Sequence, residues 1–89
     1  MIMERSVTIV NKNGLHARPA AELVKTASRF QSEITMVRDD LEVNGKSIMG
    51  VMMLAAECGA ELLVRADGPD AEQAVSAIAD LVARKFGES

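Results

Sequence analysis

The sequence predicts an α+β fold, an open-faced two-layer sandwich in the order β-α-β-β-α-β-α. A four-stranded, mainly antiparallel sheet would carry three helices on one face. Three observations support this. Short stretches that alternate apolar and polar residues are interleaved with stretches whose apolar residues recur three and four apart. Turn residues separate them, most clearly Asp39-Asp40 and Asn44-Gly45. The element order contains two crossovers, which place all helices on the same side of the sheet.

Arg5 to Val10 reads as the first strand, with Val7 and Ile9 on one face and Ser6 and Thr8 on the other. The first helix is expected from about Ala17 to Phe30. Gly14 supplies a permissive backbone ahead of it. Pro19 suits a first turn, where a missing N–H costs nothing. Ala20, Leu23, Val24, Ala27 and Phe30 form its apolar stripe, opposite Glu22, Lys25, Ser28 and Arg29. Glu33 to Arg38 is the second strand, where Ile34 and Met36 alternate with Glu33 and Thr35. A tight turn leads to a short third strand, Leu41 to Val43. Ser47 is placed to cap a helix running from Ile48 to about Glu57. Val51, Leu54 and Ala55 would be its core face and Gly59 its stop. Glu61 to Ala66 is the fourth strand. Asp70 and Gln73 have capping-box spacing at the head of the last helix. Its stripe is Ala71, Ala74, Val75, Ile78, Val82 and Phe86, and Gly87 would end it.

The chain, residues 1–89, is expected to form one domain. Apolar residues make up 48% but aromatics only 2%, so the core must be aliphatic and methionine-built. The net charge of −3 argues against a nucleic-acid partner. The charge is unevenly spread. Residues 1–50 carry seven Lys or Arg against six Asp or Glu, whereas residues 51–89 carry three against seven. Cys58 has no intramolecular partner, which fits a reducing, cytoplasmic setting. At the end of the second helix it reads as a small buried hydrophobe. No apolar run approaches the ~20 residues of a membrane span, and the start of the chain does not read as a signal peptide. One histidine and one cysteine make no metal-ligand set, and no Gly-rich nucleotide loop is present. No cofactor or metal is expected.

The chemistry concentrates in Gly14-Leu15-His16-Ala17-Arg18-Pro19-Ala20. His16 is the only histidine, and it falls at or beside the N-cap of the first helix. A helix N-terminus offers unpaired N–H groups and the positive end of the peptide dipole. That setting favours an anion and disfavours an imidazolium. A neutral imidazole there is a nucleophile beside a phosphate cradle made by the Ala17 and Arg18 N–H groups. The bland alternative is a histidine with no chemistry. The helix-start position, the nearby guanidinium and the absence of another reactive cluster favour phosphoryl transfer instead. Arg18 could simply be a solvated helix residue. As a functional group, its fork of donors would hold phosphate oxygens and offset charge during transfer.

A second stretch, Asn44-Gly45-Lys46-Ser47-Ile48-Met49-Gly50, places a serine where an added phosphate is electrostatically tolerated. By chemistry alone Ser47 is a helix cap. With Val51, Leu54 and Ala55 assigned to the core, Ile48, Met49 and Met52 are left over as an adaptable docking surface.

Together these stretches resemble the histidine-containing phosphocarrier (HPr) family of the bacterial phosphotransferase system, and the resemblance spans the whole chain. It implies a sheet of order 1-4-2-3. It implies that His16 takes a phosphoryl group on Nδ1 from phosphorylated enzyme I, charged in turn by phosphoenolpyruvate. The group would pass to a histidine of an enzyme IIA domain, with Arg18 as the partner residue of that step. Ser47 matches the serine modified by an HPr kinase/phosphorylase. A family variant without phosphocarrier activity replaces the histidine; His16 is present here. The other reading is a purely regulatory binding protein that signals through its phosphorylation state. A carrier that docks two partners on one face is best served by a monomer.

Overall fold

A computed structural model describes residues 1–88. The elements are β1 (Ile2–Thr8), α1 (Ala17–Ala27), β2 (Glu33–Arg38), β3 (Leu41–Asn44), α2 (Ile48–Met53), β4 (Glu61–Asp67) and α3 (Ala71–Ala83), followed by a 3-10 turn at Lys85–Gly87. The sheet order is β1-β4-β2-β3, and every pairing is antiparallel. β4 is central, so Val64 pairs with Arg5 on one side and Met36 on the other. The α+β open-faced sandwich expected from the sequence is the observed architecture, with helices on one face.

The core lies between that face and the helices. Val7, Ile34, Met36, Val43, Leu62, Val64 and Ala66 alternate inward from the strands. Ala20, Leu23 and Ala27 of α1, and Ala71, Ala74, Val75, Ile78, Leu81 and Val82 of α3, meet them. Interdigitating aliphatics and Met36 make up most of the core, with Phe86 the one aromatic in the buried cluster. On the uncovered face Arg65 bridges three strands, reaching Glu4 at 2.8 Å and Glu42 at 3.4 Å. Exposed pairs of this kind add little stability.

Several expected boundaries are corrected. β1 runs from Ile2 to Thr8 rather than Arg5 to Val10, because β4 is long enough to pair Ile2 with Asp67. Ile9 still bonds back to the Gly59-Ala60 turn, while Val10 is exposed. α1 ends at Ala27, not Phe30. There the Arg29 and Phe30 N–H groups bond three residues back, tightening the chain out of the helix, although Phe30 still packs on the core. β3 and β4 each extend one residue further than expected.

α2 stops at Met53 rather than Glu57. Ala55 adopts φ 49°, a left-handed conformation that ends the helix. Arg38 takes the carbonyls that a longer helix would use, donating from Nη1 to Leu54 O at 3.1 Å and Ala55 O at 2.9 Å. Its Nη2 reaches Glu57 at 2.7 Å. The peptide environment of Glu57 and this guanidinium hold the Glu57 carboxyl below its ordinary range. Ala55 is consequently exposed, not core, and Cys58 is exposed in the following turn rather than buried.

Asp70 stands at the N-cap of α3 but makes no capping bond from its side chain. Its carboxylate instead accepts from Ser32 Oγ at 2.6 Å and from the Gln31 and Ser32 N–H groups at 2.9 Å. The Ser32 hydroxyl first, then the Gln31 N–H, hold this carboxyl below its ordinary range. The expected capping box is thus replaced by a tie between α3 and the α1–β2 loop. α3 also ends at Ala83, earlier than Gly87. Lys85, Phe86 and Gly87 then have φ of 60°, 55° and 79°. This left-handed run buries Phe86 and turns the chain back toward α1.

Candidate functional site: a histidine at a helix N-terminus

The loop before α1 is fixed from both sides. Asn11 is fully buried, and its Nδ2 donates to Gly14 O at 2.8 Å. Leu15 is buried and its N–H donates to Ala56 O at 2.8 Å. Gly14 has φ +69°, and a side-chain carbon there would collide with the Ala56 carbonyl. Only glycine combines that backbone with that approach. The stretch after α2 therefore forms one wall of the loop that delivers His16.

His16 is the N-cap of α1, with φ −76° and ψ −173°. Its carbonyl accepts the first helical bond, from Ala20 N at 3.0 Å, while its imidazole makes no cap bond. The ring is free for other work and its side chain is 43% exposed. Pro19 has no N–H, so the first turn presents the Ala17 and Arg18 N–H groups to an anion. No acidic residue occupies that turn. Arg18 is exposed and, among the described residues, makes no hydrogen bond or ion pair.

The imidazole has one protein neighbour that the sequence did not announce. Glu88 sits with both carboxylate oxygens 3.2 Å from His16 Nε2. Asn11 Nδ2 also donates to Glu88 Oε1, at 3.1 Å. Asn11 thus holds the His16 loop and Glu88 together, which leaves its Oδ1 without a partner among the described residues. A surface groove of about 570 Å³ between β1 and α3 does not touch His16. Among the described residues no three His, Cys, Asp or Glu side chains gather as metal ligands.

α2 lies against α1. Ser47 is its N-cap, and its Oγ accepts from Gly50 N at 3.1 Å. Val51 and Leu54 turn inward, whereas Ile48, Met49, Met52 and Met53 stand exposed. Met53, 65% exposed, enlarges the patch expected from the sequence.

The family described as "PTS HPr component phosphorylation site" matches residues 3–84. The phosphocarrier protein HPr of Treponema pallidum is 54% identical over 84 residues, which cover 94% of this chain and 96% of that one. Among solved structures, HPr-C-His of Thermoanaerobacter tengcongensis is 48% identical, with a TM-score of 0.94 over 98% of each chain. An HPr dimer from the same organism is 50% identical, with a TM-score of 0.79 over 92% of this chain and 94% of that one. The chain belongs to the HPr family.

As an HPr-family phosphocarrier of the phosphotransferase system, the chain presents its two sequence motifs on neighbouring helices. His16, Ala17 and Arg18 share the first turn of α1, and Ser47, Ile48, Met49 and Met52 share α2. Glu88, Asn11 and Arg38 were not singled out from sequence. Glu88 is 72 residues from His16, and only the left-handed run ahead of it brings it there.

Proposed function

We propose that His16 Nδ1 accepts a phosphoryl group from phosphorylated enzyme I and passes it to a histidine of an enzyme IIA domain. The observation that carries this reading is an exposed imidazole at the N-cap of α1, uncommitted to capping. The group would settle against the Ala17 and Arg18 N–H groups, at the positive end of the helix dipole. The Arg18 guanidinium would close over phosphate oxygens and offset charge as the group arrives and leaves. Ile48, Met49 and Met52, with Met53, would form the apolar docking surface that both partners use in turn. Ser47 would be the regulatory site for an HPr kinase/phosphorylase, since a phosphate there meets the α2 N-terminus. The carrier would work as a monomer in the cytoplasm, where its partners succeed one another on one face.

Incubation with enzyme I and phosphoenolpyruvate tests the central step. An acid-labile, base-stable phosphoramidate should form and vanish in His16→Ala with the fold intact. Label persisting in that variant would overturn the assignment.

A further inference from the structure

Among the described residues, the carboxylate of Glu88 is the one charged group held against the imidazole, and nothing in the proposed phosphocarrier cycle yet uses it. A carboxylate accepts hydrogen bonds, so the His16 nitrogen facing it, Nε2, must be the donor. With the proton on Nε2, the lone pair is left on Nδ1. Glu88 is itself constrained. Asn11, fully buried, donates to its Oε1, and the turn at Lys85–Gly87 fixes the backbone before it. Its side chain retains only 17% of its exposure. The arrangement Asn11–Glu88–His16 orients an imidazole through the nitrogen that does not react.

We infer that Glu88 is a positioning residue for phosphoryl transfer: it keeps the proton on His16 Nε2, so that Nδ1 is the nucleophile. This rests on the phosphocarrier reading of His16. In the accepting step the Nδ1–P bond forms as the bond from phosphorus to the phosphorylated donor protein breaks. The Nε2 proton stays where it is. The ring acquires imidazolium character, and its positive charge spreads to Nε2–H, which already faces the carboxylate. In the donating step the Nδ1–P bond breaks and the ring returns to the neutral Nε2–H tautomer. No proton enters or leaves in either direction. Glu88 therefore faces the same Nε2 proton before and after each transfer.

Two measurements on the full chain test this. Long-range ¹H–¹⁵N correlation in mildly alkaline solution reads the tautomer of unphosphorylated His16. Rapid-quench transfer from phosphorylated enzyme I reads the rate. Wild type should show the Nε2–H tautomer. Glu88→Ala should raise the Nδ1–H fraction and slow transfer by about tenfold, the effect of one partly exposed charge-assisted bond. Glu88→Gln keeps an accepting oxygen without the charge. It should preserve the tautomer and transfer at an intermediate rate. An unchanged tautomer ratio in Glu88→Ala overturns the inference, whatever the rate. So does an unchanged rate with a shifted tautomer. If wild type takes no phosphate on His16, the carrier reading fails instead, and the tautomer measurement still decides whether Glu88 orients the ring.

Discussion

Replacing Gly14 by alanine should damage the site through its wall rather than through its chemistry. Three contributions follow from the geometry. At φ +69° a non-glycine residue costs about 1–2 kcal/mol in backbone strain. The smaller entropy of the unfolded chain returns about 0.4–1 kcal/mol. The added carbon would strike Ala56 O and lie 2.9 Å from Glu57 Cα, both backbone atoms that cannot swing aside. Relieving the collision means moving the loop off Ala56, which strands the buried Leu15 N–H at a cost of about 1–3 kcal/mol. The net loss is about 1–5 kcal/mol, or a fall in Tm of roughly 4–40 °C for a domain of this size. Gly59→Ala is the matched control. Its φ is +95°, but nothing lies within 4 Å of the added carbon, so only the backbone contribution remains. Urea unfolding of both variants gives the comparison, and rapid-quench transfer should show Gly14→Ala slowed beyond what its unfolded fraction explains. If the two variants lose stability within about 0.5 kcal/mol of each other, the close approach to Ala56 does not hold the loop.

Arg18→Ala should raise the barrier to transfer by about 2–4 kcal/mol while leaving enzyme I affinity nearly unchanged; an unaltered single-turnover rate would remove the residue from the mechanism. Ser47→Ala should cost about 1 kcal/mol of stability by losing the bond to Gly50 N, and keep transfer. Ser47→Asp and Met49→Glu should both weaken phosphorylation from dilute enzyme I by weakening association. Normal rates in both would show that α2 is not the docking face. Acid titration should follow the carboxyls of Asp70 and Glu57, both held below their ordinary values of 3.8 and 4.5. A depressed folded-state pKa gives stability that is complete above the ordinary value and is lost as pH falls through the lowered one. The urea midpoint should therefore stay level down to about pH 5 and fall below about pH 4. Asp70→Asn should flatten that fall, and an identical slope would discount the tie to Ser32.

The pattern of apolar residues made the architecture legible, because strand alternation and helix stripes answer to the same core. Ile34 and Met36, Ala20 and Leu23, and Ala74 and Ile78 all face where their spacing said they would. The placement of His16, Arg18 and Ser47 at helix starts was legible because those positions have local signals. Chain ends of elements were less so. α2 was drawn too long because Ala55 carries no sequence mark of a left-handed residue, and because the group that ends the helix, Arg38, comes from another strand. The capping-box spacing of Asp70 was misleading for a similar reason, since Ser32 and Gln31 compete for its carboxylate from across the fold. Glu88 was invisible. Its role depends on three consecutive positive φ values, two of them at Lys85 and Phe86, residues with no preference for that region.

If His16 carries a phosphoryl group as proposed, Pro19 sets a limit on how firmly α1 can hold it. A phosphoryl group has three terminal oxygens, and the first turn of most helices could offer an N–H to each. Here the third donor is missing by covalent structure, and the chain supplies two. The remaining oxygen would be left to Arg18, a long exposed side chain that could yield to an incoming partner. A third fixed donor would deepen the loaded state by about 1.5–3 kcal/mol, the strength of a hydrogen bond to a charged group, and would add much of that to the barrier for release. An incomplete cradle would keep the loaded and empty carriers close in free energy. The direction of flow would then be set by how much phosphorylated donor and empty acceptor is supplied, not by the carrier.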